Sequence, residues 1–122
     1  MSAGIATLKS LNKSFYQNIR HKSEEFVGHL NAGFKKHSIN AFLDSYGAMF
    51  SLRFGRTPAA NYTEARRMSS AKIYSHLFHG LLKEGIYLPP ADLEAFFISA
   101  QHTPHQLHTL AEALLTILKE KI

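Results

Sequence analysis

The sequence predicts an α+β domain in which a small antiparallel sheet of about three strands packs with helices. Three observations carry this. The apolar period is helical over the first third of the chain, alternates around Phe50, and returns to helical spacing in two later segments. Gly47, Pro58, Gly85 and the Pro89-Pro90 pair punctuate those segments. At 122 residues and 13.7 kDa the chain is long enough for one domain with a real core.

From about Ala3 to Phe34, the residues Ile5, Leu8, Leu11, Phe15, Ile19, Phe26, Leu30 and Phe34 recur every three or four positions. This spacing marks one amphipathic helix, or two in succession with the break at Asn12 to Ser14, forming a spine for the sheet. Between Ile39 and Phe54 the period changes. Phe50, Leu52 and Phe54 fall on one face and Met49, Ser51 and Arg53 on the other, as in a strand half-buried on a core. Ala41 to Ser45 is a second strand candidate, and Gly47 marks a bulge or bend between the two. Gly55 to Ser70 shows little periodicity beyond a helical turn at Thr63 to Arg67 and reads as a surface excursion.

Tyr74, Leu77, Phe78 and Leu81 then recur at helical spacing, and Gly85 is placed to close that helix in left-handed geometry, with Ile86 packing back on Leu81. Pro89 and Pro90 lack backbone donors and drive the chain into an extended path. Ala95 to Ala100 reads as a short buried strand. Thr103, Pro104 and Gln106 have the N-cap, N1 and N3 chemistry of a capping box, and Leu107, Leu110, Leu114, Ile117 and Leu118 form the stripe of a final helix.

Composition narrows the function classes. Hydrophobic residues make up 45% and charged residues 19%, and no apolar run reaches the roughly 18 residues of a membrane helix. Cysteine is absent, which removes disulfides and thiolate metal sites, and the N-terminus lacks the blocks of a signal peptide, so a cytoplasmic location is expected. A net charge of +5 raises the question of nucleic acid, but only Lys35-Lys36 and Arg66-Arg67 are adjacent among the residues considered for a basic stripe. Nucleic-acid binding is therefore not the expectation. Neither a nucleophile elbow nor a phosphate-cradling glycine loop is present.

The candidate chemistry lies between Phe78 and Thr103. Glu94 sits between Leu93 and Ala95-Phe96-Phe97, where burial would raise its pKa unless a cation, a donor or a substrate group compensates. The residue alone fits either a substrate-facing carboxylate or an ordinary exposed glutamate at the start of a strand. Eight histidines invite a metal reading. His76 with His79, and His102 with His105 and His108, have suggestive spacing but lack three or four converging ligands, so no metal site is expected. Lys72 and Lys83 fall on helix faces as solvated residues, which leaves no candidate for a cofactor lysine.

Several segments in collinear order resemble one family. Gly85-Ile86-Tyr87-Leu88-Pro89-Pro90, Leu93-Glu94-Ala95, Phe97-Ile98-Ser99 and His102-Thr103 look like the C-terminal segment of the glutamate-1-semialdehyde 2,1-aminomutases, within the class III pyridoxal-phosphate aminotransferases. Gly47-Ala48-Met49-Phe50 is similar to the family's Gly-Ser-Met-Phe strand, Asn61-Tyr62 with Ala65 to its Asn-Tyr-x-x-Ala, and Gly4 to Leu8 to the helix leading out of its large domain. The resemblance implies a single C-terminal small domain over 1–122. Residues 1–36 would be a leading helical segment and 39–122 the sheet-and-helix body, with the large domain that holds the Schiff-base lysine absent.

By resemblance, Glu94 is the substrate-binding residue, and no catalytic, cofactor-binding or metal-binding residue is carried over. The parent would use pyridoxal phosphate, form a homodimer and turn glutamate-1-semialdehyde into 5-aminolevulinate for tetrapyrrole synthesis. This chain alone would be inert, with its parent's large domain as partner. The alternatives are another class III aminotransferase, or a stand-alone module binding protein or nucleic acid. Where the family usually has Ala-Pro-Ser-Gln-Phe-Glu-Ala-Gly-Phe, this chain has Pro89 to Phe97 with Ala91 and Phe96. Ala91 loses a hydroxyl, and Phe96 in place of glycine is expected to fill space near Glu94.

Overall fold

The computed structural model describes residues 1–120, so the last two positions of the body expected at 39–122 lie outside the described residues. Helices α1 (Ser2–Ser10) and α2 (Lys13–Lys36) are followed by strands β1 (Phe42–Tyr46) and β2 (Met49–Arg53). Helices α3 (Tyr62–Arg67) and α4 (Ala71–Lys83), strand β3 (Phe96–Phe97) and helix α5 (Pro104–Lys119) complete the order. The sheet is antiparallel in the order β1-β2-β3, with Leu43 opposite Leu52 and Phe50 opposite Phe96 on its inner face. That face and helices α2, α4 and α5 enclose one core, in which Phe34, Phe50, Leu30, Leu43, Leu77, Leu81, Leu114 and Leu118 are fully buried.

The break between the first two helices falls at Asn12, whose side chain caps α2 by accepting the Phe15 N–H at 2.9 Å. α1 departs from the expected spine, because none of its residues is buried and Ile5 and Leu8 lie open to solvent. The expected stripe is thus continuous in sequence but bends away from the core at the cap. α2 packs on β1 and on α5. An added Cβ at Gly33 would lie 2.6 Å from Leu115 Cδ1, so the absence of a side chain there permits the close approach of α2 to α5. Asn31 also joins α2 to the sheet, its amide donating to the Leu43 carbonyl at 3.0 Å and accepting the Leu43 N–H at 2.8 Å. Those backbone groups lie on an edge strand and would otherwise be open for pairing.

α2 ends in a Schellman turn that no glycine announces. Ser38 adopts φ 55°, and the Ile39 N–H reaches the Phe34 carbonyl at 2.9 Å. The same motif at α4 follows the expected signal. Gly85 has φ 75°, its N–H bonds to Leu82, and the Ile86 N–H bonds to Leu81. Gly47, expected as a bulge or bend, instead occupies the two-residue hairpin loop between β1 and β2 with φ 60°, as a type II′ turn requires at its first central position. The capping box of α5 forms as expected, with Thr103 and Gln106 bonded reciprocally. Among the described residues no helix is long and apolar enough to cross a membrane.

Candidate functional site

The stretch expected as a buried strand over Ala95 to Ala100 is regular only at Phe96–Phe97, and only one of those two side chains is buried. β3 pairs with β2 through Met49 and Phe50, and the Ile98 N–H extends the contact to the Ala48 carbonyl. Phe96 and Ile98 therefore point inward while Phe97 remains 65% exposed. The short strand follows from its neighbours, since Pro89 and Pro90 stiffen its approach and a turn at Ser99 to His102 ends it. Phe96 does not crowd the surface around Glu94. It stacks on Phe50 with ring centroids 5.5 Å apart, so the expectation that it fills the site is corrected: the pleat turns it to the core.

The segment before β3 is held by a polar node that joins Arg53, Ser69, Ser70 and Asp92. Asp92 is 8% exposed, and its Oδ2 accepts the Ser69 hydroxyl and the Ser70 N–H, each at 2.7 Å. Ser70 is also the N-cap of α4, so the carboxylate sits at the positive end of that helix. Arg53 Nη1 donates to the Asp92 carbonyl and to the Leu52 carbonyl, and Nη2 donates to Ser51 Oγ at 3.1 Å. Tyr74 closes the node by donating its hydroxyl to the Pro89 carbonyl at 2.7 Å. Burial, reinforced by the negative charges of Asp92 and Glu94 and opposed by Arg53, pushes the Tyr74 phenol up to about 12.

Asp92 is thus the buried carboxylate of this stretch, and Glu94 is exposed. The burial considered for Glu94 does not arise, and the physical reason is the supply of donors. A carboxylate is tolerated inside where hydrogen bonds meet it, and Ser69 and Ser70 meet Asp92. Glu94 follows a turn closed by its own N–H on the Ala91 carbonyl at 3.2 Å, and it stands two residues before β3. Sequence reasoning missed Asp92 and Arg53. Alternation put Arg53 on the outward face, which is correct, but not the loop that covers it there. The available signal was an aspartate next to a proline pair, with two serines ahead of a helix.

Around this segment the outward face of the sheet is apolar and open at its hairpin end. Tyr46, Met49 and Phe97 share that face by register and are 85%, 41% and 65% exposed, and Leu93 beside Glu94 is exposed as well. The histidine spacings do not assemble as sets. His79 bonds to the Ser75 carbonyl, and His102 Nδ1 accepts the Ser99 N–H at 2.9 Å. His108 instead meets residues from other turns and from α2, with its ring 5.3 Å from that of His29 and with Glu112 nearby.

No protein-family model matches the chain. It is similar to glutamate-1-semialdehyde 2,1-aminomutase of Methanobrevibacter smithii, with 33% identity over 119 residues covering 98% of this chain and 28% of the relative. The enzyme of the same name from Bacillus subtilis is 28% identical over 98% of this chain and 28% of its own length. Among solved structures, the glutamate-1-semialdehyde aminomutase of Pseudomonas aeruginosa PAO1 in complex with PMP superposes with a TM-score of 0.81 at 16% identity, over 92% of this chain and 24% of that one. An omega-transaminase from Sphaerobacter thermophilus gives 0.76 at 13% identity, over 95% and 26%. The expected α+β fold is the one these structures share. Over nearly its whole length the chain is a relative, in sequence and in fold, of the glutamate-1-semialdehyde 2,1-aminomutases, and it spans just over a quarter of theirs.

Proposed function

We propose that this chain is the C-terminal small domain of a pyridoxal-phosphate-dependent glutamate-1-semialdehyde 2,1-aminomutase, occupying 1–122 and inert without its large domain. The observation that carries the reading is the collinear similarity to the M. smithii enzyme across 98% of this chain but 28% of that protein. A second observation supports the docking of a larger partner. The chain exposes 8050 Å², against about 6,600 Å² for a compact monomer of its mass. The open side chains of α1 and the apolar hairpin end of the sheet's outer face, at Tyr46, Met49 and Phe97, are part of what it exposes. The large domain of the same parent chain is the partner proposed for them, in a homodimeric, cytoplasmic enzyme that feeds tetrapyrrole synthesis.

The described residues do not fit the cofactor by themselves. Their lysines are exposed except for Lys22, which is partly exposed and donates to the Ala100 and His102 carbonyls at 2.8 and 2.9 Å. No step through pyridoxal phosphate is therefore assigned to these residues; bound by the rest of the protein, it would supply the electron sink for moving an amino group. The role proposed for this chain is to form one wall of the pocket. Its turn at Ala91 to Glu94 is pinned from behind by Asp92 and presents the Glu94 carboxylate outward, where it would meet an amino group of the substrate.

The test is a chimera in which this chain replaces the matching segment of the M. smithii enzyme. Aminomutase activity is expected, with Glu94→Gln lowering kcat/KM at least about tenfold while leaving cofactor absorbance unchanged. A folded, cofactor-loaded chimera whose rate ignores Glu94→Gln removes that residue from the pocket. A reducible Schiff base on one lysine of the chain by itself would overturn the claim that it is inert.

A further inference from the structure

The geometry points to a binding site for one divalent transition-metal ion of the zinc class, formed by His29, His108 and Glu112 and joining α2 to α5. The inference stands independently of the aminomutase reading. His108 and Glu112 are four residues apart on α5 and so share one face of that helix. His29 reaches the same point from α2, with its Nε2 3.1 Å from Glu112 Oε1. The possible ligand atoms of all three residues lie within 4.8 Å of one another. Bonds of about 2.0–2.2 Å in tetrahedral geometry bring ligand atoms to about 3.4 Å apart. The spacing found here is close to that, and all three side chains are exposed.

The two helices holding these side chains pack directly on each other. α2 and α5 are locked by the contact of Gly33 with Leu115, and Leu107, Ala111, Leu115 and Phe26 are buried between the metal-facing surface and the core. The donor set selects the ion. Two imidazoles with one carboxylate are the ligands of open zinc sites, whereas calcium and magnesium want oxygen donors throughout. Coordination positions left over face solvent and would take water. The competing arrangement is a metal-free hydrogen bond between His29 and Glu112, with His108 merely adjacent.

The test titrates the 122-residue chain with Zn²⁺ alone at pH 7.5 by calorimetry, with Mg²⁺ as control, and follows the histidine ring protons by NMR. One Zn²⁺ per chain is expected, with the signals of His29 and His108 moving together and Mg²⁺ without effect. His29→Asn, His108→Gln and Glu112→Gln should each weaken binding at least about tenfold at unchanged circular dichroism. The pair His76→Gln with His79→Gln should leave affinity unchanged. Absence of stoichiometric binding, affinity that survives the three substitutions together, or zinc shifts on other histidines in place of His29 and His108 would each overturn the site. The ring-proton measurement on the unaltered chain decides the matter if a variant fails to fold.

Discussion

Replacing Asp92 with alanine tests the buried node directly. The carboxylate accepts two hydrogen bonds of 2.7 Å, one from the Ser69 hydroxyl and one from the Ser70 N–H. Hydrogen bonds to a charged group contribute about 1.5–3 kcal/mol each, and a donor left without a partner inside the protein carries its own desolvation cost. The Ser69 hydroxyl can rotate toward another acceptor, whereas the Ser70 N–H is fixed by its place at the start of α4. A loss of about 3 kcal/mol is therefore expected, against a total stability of about 5–15 kcal/mol for a domain. For a chain of this size that is a fall in Tm of roughly 10 °C. Urea unfolding followed by circular dichroism measures it, with m unchanged if the denatured state is unaffected. Asp92→Asn keeps an acceptor without the charge and should cost about half as much. Ser69→Ala should matter far less in the Asp92→Ala background than in the original chain, since the two changes remove the same bond. A loss below about 0.5 kcal/mol for Asp92→Ala would refute the node as a stabilising element and, with it, the account of how the Glu94 turn is held.

Tyr74 gives a pH-dependent counterpart. Its pKa is raised from 10.0 to about 12 in the folded chain, so its contribution is complete below pH 10 and is lost as pH rises from 10 toward 12. That loss amounts to about 2–3 kcal/mol. Tyr74→Phe should abolish this dependence, cost about 1 kcal/mol at neutral pH through the lost bond to Pro89, and remove a phenolate absorbance step near pH 12. An unchanged alkaline titration in that variant would refute the assignment. The two helix ends predict opposite signs. Ser38→Gly relieves a left-handed residue and should stabilise by about 0.5 kcal/mol, while Gly85→Ala creates one and should cost about 1–2 kcal/mol in thermal unfolding. A destabilised Ser38→Gly variant would contradict the turn geometry.

The elements that were legible were those whose signals are local. The Asn12 break, the Thr103 capping box and the Gly85 ending each depend on atoms within a few residues, and each forms as its sequence indicates. The alternation at Phe50 and Leu52 correctly gave the buried face of β2. The site was less legible. Glu94 drew attention because apolar neighbours flank it in sequence, yet burial depends on what the fold brings from afar, and the donors it brings reach Asp92. The same holds for Phe96, whose direction is set by pairing with Phe50, and for His108, whose partner His29 lies in a different helix.

The sequence by itself determined the fold class, the order of helices and strands, most of their ends and the kinship with the aminomutases, because periodicity, caps and collinear motifs are properties of neighbouring residues. Only the tertiary structure decided which carboxylate is buried, where Phe96 points, that α1 leaves the core, and that two histidines and a glutamate from two helices converge. Those outcomes depend on hydrogen-bond donors and packing surfaces contributed by residues distant along the chain, and no local pattern encodes where such residues meet.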